Sequence, residues 1–143
     1  MQLLIIDDSQ AMLLLVKGVI SKLGDYEIQT YLEASEAIAW CQDHTPDLVV
    51  VDYLMPGMNG LDFVRQFRAL PGKDKIPVLM LTADHSLQVT TEATAAGVTD
   101  FLNKPFDRLT IQSRLMDLLS RIEQAETQRA LADFKPERFQ KTQ

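Results

Sequence analysis

The sequence predicts an α/β fold in which parallel strands alternate with helices in a doubly wound sheet. Three observations carry this expectation. Short apolar runs suited to strands covered on both faces recur at Gln2–Ile6, Leu48–Val51 and Val78–Thr82. Segments of helical length, with apolar residues three or four apart, lie between them. Glycines stand where those segments should stop, as at Gly24 and Gly97.

Taken in order, Gln2–Ile6 is the first strand and Ser9–Leu23 the first helix, with Leu13, Val16 and Ile20 on one face. Tyr26–Leu32 and Glu33–Asp43 form the second pair. Leu48–Val51 precedes the helix Gly60–Leu70, and Val78–Thr82 precedes the helix Ser86–Ala96. Thr99–Leu102 is the fifth strand. The last helix begins near Phe106 and carries Ile111, Leu115, Leu118, Leu119 and Ile122. Its apolar spacing fades after Ala125 into Glu126–Arg129, and Pro136 interrupts the remaining stretch. Right-handed crossovers between five such strands give the flavodoxin-like (βα)5 order 2-1-3-4-5. Residues 1–120 form one domain, and 121–143 read as a helical extension or linker, a candidate route to an output domain. Ile122 and Ala125 lie past that body and therefore require another partner, so the last helix is also a candidate homodimer surface.

With 46% hydrophobic residues the 143-residue chain has the material for a core. Its net charge of −6 and lack of clustered Lys and Arg argue against a nucleic-acid-binding surface, though an acidic balance is also the common default of soluble chains. Cys41 is the single cysteine, which rules out an internal disulfide and suits a reducing compartment. The apolar start, Met1–Ile6, meets Asp7 and Asp8 too soon for a signal peptide, and no run reaches membrane-spanning length. A cytoplasmic location without membrane contact is the expectation.

In a doubly wound sheet, ligands bind beyond the carboxyl ends of the strands, where the winding reverses. Asp7 and Asp8 follow the first strand, Asp52 the third, Thr82-Ala83 close the fourth, and Asn103-Lys104-Pro105 follow the fifth. Three carboxylates brought together repel, and each tends to keep its proton. A divalent cation resolves that conflict, and Mg2+ suits such hard oxygen ligands. With Mg2+ and Lys104 the site is neutral, and Asp52 can act as a carboxylate nucleophile towards a phosphoryl group. Taken alone, Asp7-Asp8 would be read as a helix cap, Thr82 as a strand residue and Lys104-Pro105 as a turn; their coincidence decides for the site.

This ordered set, together with Leu48-Val49-Val50-Val51-Asp52 and the loop Met55-Pro56-Gly57-Met58-Asn59-Gly60, resembles the receiver domain of two-component response regulators over about Gln2 to Ser120. The resemblance implies a signalling switch rather than a metabolic enzyme. It implies that Asp52 accepts a phosphoryl group from a phosphohistidine on a sensor histidine kinase or phosphotransfer protein. It further implies Mg2+ held by Asp8, Asp52 and the Leu54 backbone carbonyl, with Asp7 acting directly or through water. Lys104, Thr82 and Ala83 would contact the phosphoryl group, with a cis peptide before Pro105, and Thr82 and Phe101 would move together as a switch. Asn59 stands where many relatives have Asp, without chemical loss. Leu54 and Asp84 occupy positions that tune the lifetime of the phosphorylated form. The stretches Ala69-Leu70-Pro71-Gly72-Lys73 and Thr82-Ala83-Asp84-His85 resemble receivers attached to cyclic-di-GMP-hydrolysing domains.

Other readings fit less well. A phosphatase of the haloacid-dehalogenase type needs a second Asp two residues after the nucleophile, where this chain has Leu54. Flavin or nucleotide sites offer Gly- or hydroxyl-rich phosphate loops after the first strand, whereas Asp7-Asp8 repels phosphate. A receiver-like module that binds partners without phosphorylation would not need the full acidic set. His44 and His85 read as surface residues, Trp40 as packing and Cys41 as inert.

Overall fold

The structure, a computed structural model, describes residues 1–134. The tail beyond, including Pro136 and the last part of the expected extension, lies outside the described residues. Five parallel strands, β1 (Gln2–Ile6), β2 (Glu27–Tyr31), β3 (Leu48–Asp52), β4 (Val78–Thr82) and β5 (Asp100–Asn103), form one sheet in the order β2-β1-β3-β4-β5. Five helices alternate with them: α1 (Gln10–Leu23), α2 (Ala34–Cys41), α3 (Gly60–Ala69), α4 (Leu87–Ala96) and α5 (Arg108–Ala132). The doubly wound expectation is borne out.

Strand alternation divides the core into two layers. Leu3, Ile5, Leu48, Val50, Leu79 and Leu81 pack with α1 and α5, while Leu4, Ile6, Val49, Val51, Val78 and Met80 pack towards α2, α3 and α4. Every residue of β3 and β4 is buried, as central parallel strands require. The helices begin where polar side chains can satisfy free amides. Ser9, Asn59, Ser86 and Asp107 each accept a hydrogen bond from the amide three residues on. Their carboxylate, amide or hydroxyl oxygens thereby fix how each helix leaves the strand ends that build the site.

Three sequence expectations are corrected. β5 starts at Asp100 rather than Thr99, whose hydroxyl donates to the Val78 carbonyl and accepts from the Val78 amide. β2 starts after Tyr26, whose hydroxyl turns away and donates to Glu123 of α5 at 3.0 Å. Ile122 needs no outside partner, since it is buried in the layer shared with α1. Ala125 is exposed and lines a cleft of about 520 Å³ between α5 and the loops that precede β3 and β4.

Candidate functional site

β1 has β2 on one side and β3 on the other, so the winding reverses at the β1–β3 boundary. The carboxyl ends of these strands carry Asp7 and Asp52, both buried, and the exposed Asp8. One carboxylate oxygen from each of the three lies within 4.8 Å of the others. Lys104 reaches in from beyond β5, its Nζ 2.9 Å from Asp52 Oδ1 and 3.4 Å from Asp7 Oδ2. The Lys104 amide donates to the Thr82 carbonyl at 2.8 Å, and the Lys104–Pro105 peptide is cis.

Burial raises the Asp52 carboxyl to about 6 against the pull of Lys104, with the Asp7 and Asp8 charges adding to the rise. Burial raises Asp7 as well, opposed by the Ser9 amide and by Lys104. Burial works against the charged Lys104, but its bond to Asp52 and the two neighbouring carboxylates outweigh it, so the ammonium is held above its ordinary range. Three carboxylates facing one ammonium leave an acidic surplus. That surplus and the hard oxygen donors fit a divalent cation.

Thr82 is buried at the end of β4, with its hydroxyl turned to the loop. Oγ1 accepts from the Asp84 amide at 2.9 Å and donates to the Asp84 carbonyl at 3.2 Å. Ala83 and the Leu54 side chain are exposed at the rim. Phe101 is not gathered into the acidic cluster. It is half-buried in β5, opposite Met80, and packs on the layer that includes α3 and α4.

Gly60 and Arg114 contribute contacts that carried no signal in the sequence. Gly60 opens α3 so close to β3 that a Cβ there would overlap the Asp52 backbone carbonyl oxygen. Arg114 of α5 donates to Asp100 Oδ1 at 2.7 Å and to the Phe101 carbonyl at 2.6 Å, tying the backbone of that aromatic to the last helix. Asn59 caps α3 through the Asp62 amide at 2.8 Å, a pattern its place before an apolar helix could have disclosed. His44 is exposed but stacks on Trp40 with ring centroids 4.6 Å apart. Cys41 is buried, and burial pushes its thiol up to about 11, which suits the inert reading.

The sequence matches the response regulator receiver domain family over residues 3–116. The chain belongs to that family. As a receiver domain of the two-component response regulators, it is of the kind that acts as a signalling switch and interacts with histidine kinases or phosphotransfer partners. It is 33% identical over 135 residues to the cyclic di-GMP phosphodiesterase response regulator RpfG of Xanthomonas campestris, covering 92% of this chain and 36% of that protein. It is 34% identical over 122 residues to the chemotaxis protein CheY-3 of Vibrio cholerae, covering 85% of this chain and 94% of that one. The solved structure of Vibrio cholerae CheY4 superposes with a TM-score of 0.76 at 32% identity, covering 82% of this chain and 97% of that chain. The receiver domain thus spans about a third of the RpfG relative and 51% of a phosphate regulon regulator, PhoB of Rhizobium meliloti. Among the described residues, no helix is long and apolar enough to cross a membrane.

Proposed function

We propose that Asp52 is the phosphoacceptor of this receiver domain, and that its phosphorylation redirects Thr82 and Phe101 to control an output or partner. The observation that carries the reading is Lys104 Nζ held 2.9 Å from Asp52 Oδ1, within a crevice that also gathers Asp7 and Asp8. An Asp52 oxygen attacks the phosphorus of a phosphohistidine; the O–P bond forms, the P–N bond breaks, and the imidazole nitrogen leaves with the electron pair. Lys104 donates to the transferring oxygens, supported by the Ala83 amide and the Thr82 hydroxyl. Asp7, Asp8, Asp52 and the Leu54 carbonyl would hold Mg2+, which when bound supplies the positive charge that offsets the carboxylates and the incoming phosphoryl oxygens.

Thr82 begins bonded to Asp84, and the phosphoryl oxygens offer its hydroxyl a charged acceptor instead. As Thr82 moves, Phe101 turns into the space it leaves. The donor is a sensor histidine kinase or phosphotransfer protein, met in the cytoplasm. The body is residues 1–120 with Ile122 still packed on it, and 121–143 form the link to an output domain or, through α5, to a second copy.

Acetyl phosphate should add one acid-stable, base-labile phosphoryl group, absent from Asp52→Asn. Peptide mapping that places the group on Ser, Thr or His would refute the assignment.

A further inference from the structure

We propose that Arg68 is the pivot of α4, a positioning residue that holds the back of that helix while phosphorylation frees its front. The proposal rests on the role given to Thr82 under the proposed function and extends it to the helix that moves with the hydroxyl.

α4 is thinly held along its length. Only Val89 and Ala93 are buried, and Leu87 in its first turn is 81% exposed. Its hydrogen bonds to the rest of the domain are concentrated at the two ends. At the front, Thr82 Oγ1 holds the Asp84 amide, Asp84 Oδ1 accepts the Ser86 amide at 2.9 Å, and Ser86 Oγ caps the Val89 amide. Each link depends on the one before it, so the chain of bonds begins at the hydroxyl that the phosphoryl group would recruit.

The back end is tied to a different part of the molecule. Arg68, at the end of α3, donates through Nη2 to the Gly97 carbonyl at 2.7 Å and through Nη1 to the Lys73 carbonyl at 2.8 Å. One planar fork thereby joins the α4 cap to the loop before β4. The guanidinium also lies 5.7 Å from the centre of the Phe67 ring, a buried side chain of the same helix. Nothing in this set touches Asp52, Thr82 or Lys104, so the tie does not loosen when those residues change partners.

Two features show how closely the clamp is fitted. Arg68 Nε, beside the two bonded nitrogens, is itself buried. Gly97 caps α4 at φ 112°, and a Cβ there would come 2.7 Å from Arg68 Nε. Glycine therefore serves both the left-handed turn and the approach of the guanidinium. A helix released at one end and held at the other swings about the held end, so its exposed front, with Leu87, travels furthest.

The test is residue-resolved amide exchange on the full chain, with and without beryllofluoride and Mg2+ as the phosphoryl mimic. In the wild type the amides of Val89, Thr90 and Thr91 should change several-fold, while those of Ala95, Ala96, Gly97 and Val98 stay nearly constant. In Arg68→Met, acetyl phosphate should still label Asp52, but the change should spread to the back amides. Arg68→Lys, which keeps the charge but loses the fork, should fall between. A wild type whose back amides change as much as its front amides overturns the pivot, as does an Arg68→Met variant that keeps the front-only pattern. If Arg68→Met does not fold, Arg68→Lys carries the comparison, and an Arg68→Lys variant that keeps the wild-type front-only pattern overturns the pivot. If the wild type shows no exchange change in α4 although Asp52 is labelled, the pivot is wrong and the phosphoacceptor stands. If Asp52 is not labelled, both fail.

Discussion

Lys104 Nζ sits 2.9 Å from Asp52 Oδ1 and 3.4 Å from Asp7 Oδ2, bridging two buried carboxylates that come from different strands. The closer bond goes to the residue that ends the third strand, so the ammonium is centred on the proposed nucleophile. Under the proposed function, an incoming phosphoryl group would meet a donor already in place.

Lys104→Met keeps the length of the stem and removes the charge. A charge-assisted hydrogen bond of about 1.5–3 kcal/mol corresponds to a loss of roughly 10- to 100-fold in the rate of Asp52 phosphorylation by acetyl phosphate. Rapid-mixing kinetics measure it, and an unchanged rate would remove Lys104 from the mechanism.

Asp52 is raised from its ordinary 3.8 to about 6. The folded protein therefore binds the proton more tightly than the unfolded chain. The resulting stabilisation is fully present below 3.8 and is lost as pH rises through about 6. In metal-free protein the loss is on the order of 3 kcal/mol, and burial of Asp7 acts in the same direction. Urea unfolding with chelator across this range should show stability falling with rising pH, and Asp52→Asn should flatten the slope. Mg2+ requires the deprotonated site, so its affinity should weaken as pH falls below about 6, by up to about tenfold per pH unit.

Two glycines should respond oppositely to alanine. At Gly60 the new methyl would overlap the Asp52 backbone carbonyl, costing about 1–3 kcal/mol and slowing phosphorylation as β3 shifts. At Gly18, within α1, the nearest atom is Arg108 Nη2 at an ordinary 3.6 Å. Gly18→Ala should stabilise the fold by about 0.5–1 kcal/mol through helix propensity. Thermal unfolding of both variants checks the contrast.

Thr82→Ala removes the hydroxyl that links the site to Asp84 without touching the carboxylates. Phosphorylation of Asp52 should persist, while the exchange response of α4 and α5 to beryllofluoride should largely disappear. Retention of the full response would place the switch elsewhere.

The sheet was legible because β3 and β4 are buried on both faces and so read as unbroken apolar runs. Once the strand order was in hand, topology brought Asp7, Asp8, Asp52, Thr82 and Lys104 to one edge without any distance being known. The contacts that run sideways were hidden. Arg68 and Arg114 look like ordinary surface cations in their helices, and nothing in the spacing reveals that their forks reach backbone carbonyls of Gly97 and Phe101. The resting bond of Thr82 goes to the backbone of Asp84, which no side-chain pattern can announce. Ile122 was misread because periodicity gives the face of a helix but not how far along it the neighbouring layer extends.

Beyond Ile122, every described residue of α5 is exposed, so these last turns gain almost nothing from the core. They nevertheless continue a helix whose first half is anchored by Ile111, Leu115 and Leu118. The unfavourable step of helix formation, fixing the first turn, has already been met within the domain, and each added residue only propagates it. A partner that covers this stretch therefore finds an ordered face rather than a coil to be fixed on contact. Its binding energy need not be spent on nucleation, and modest contacts along one side of α5 are enough for useful affinity.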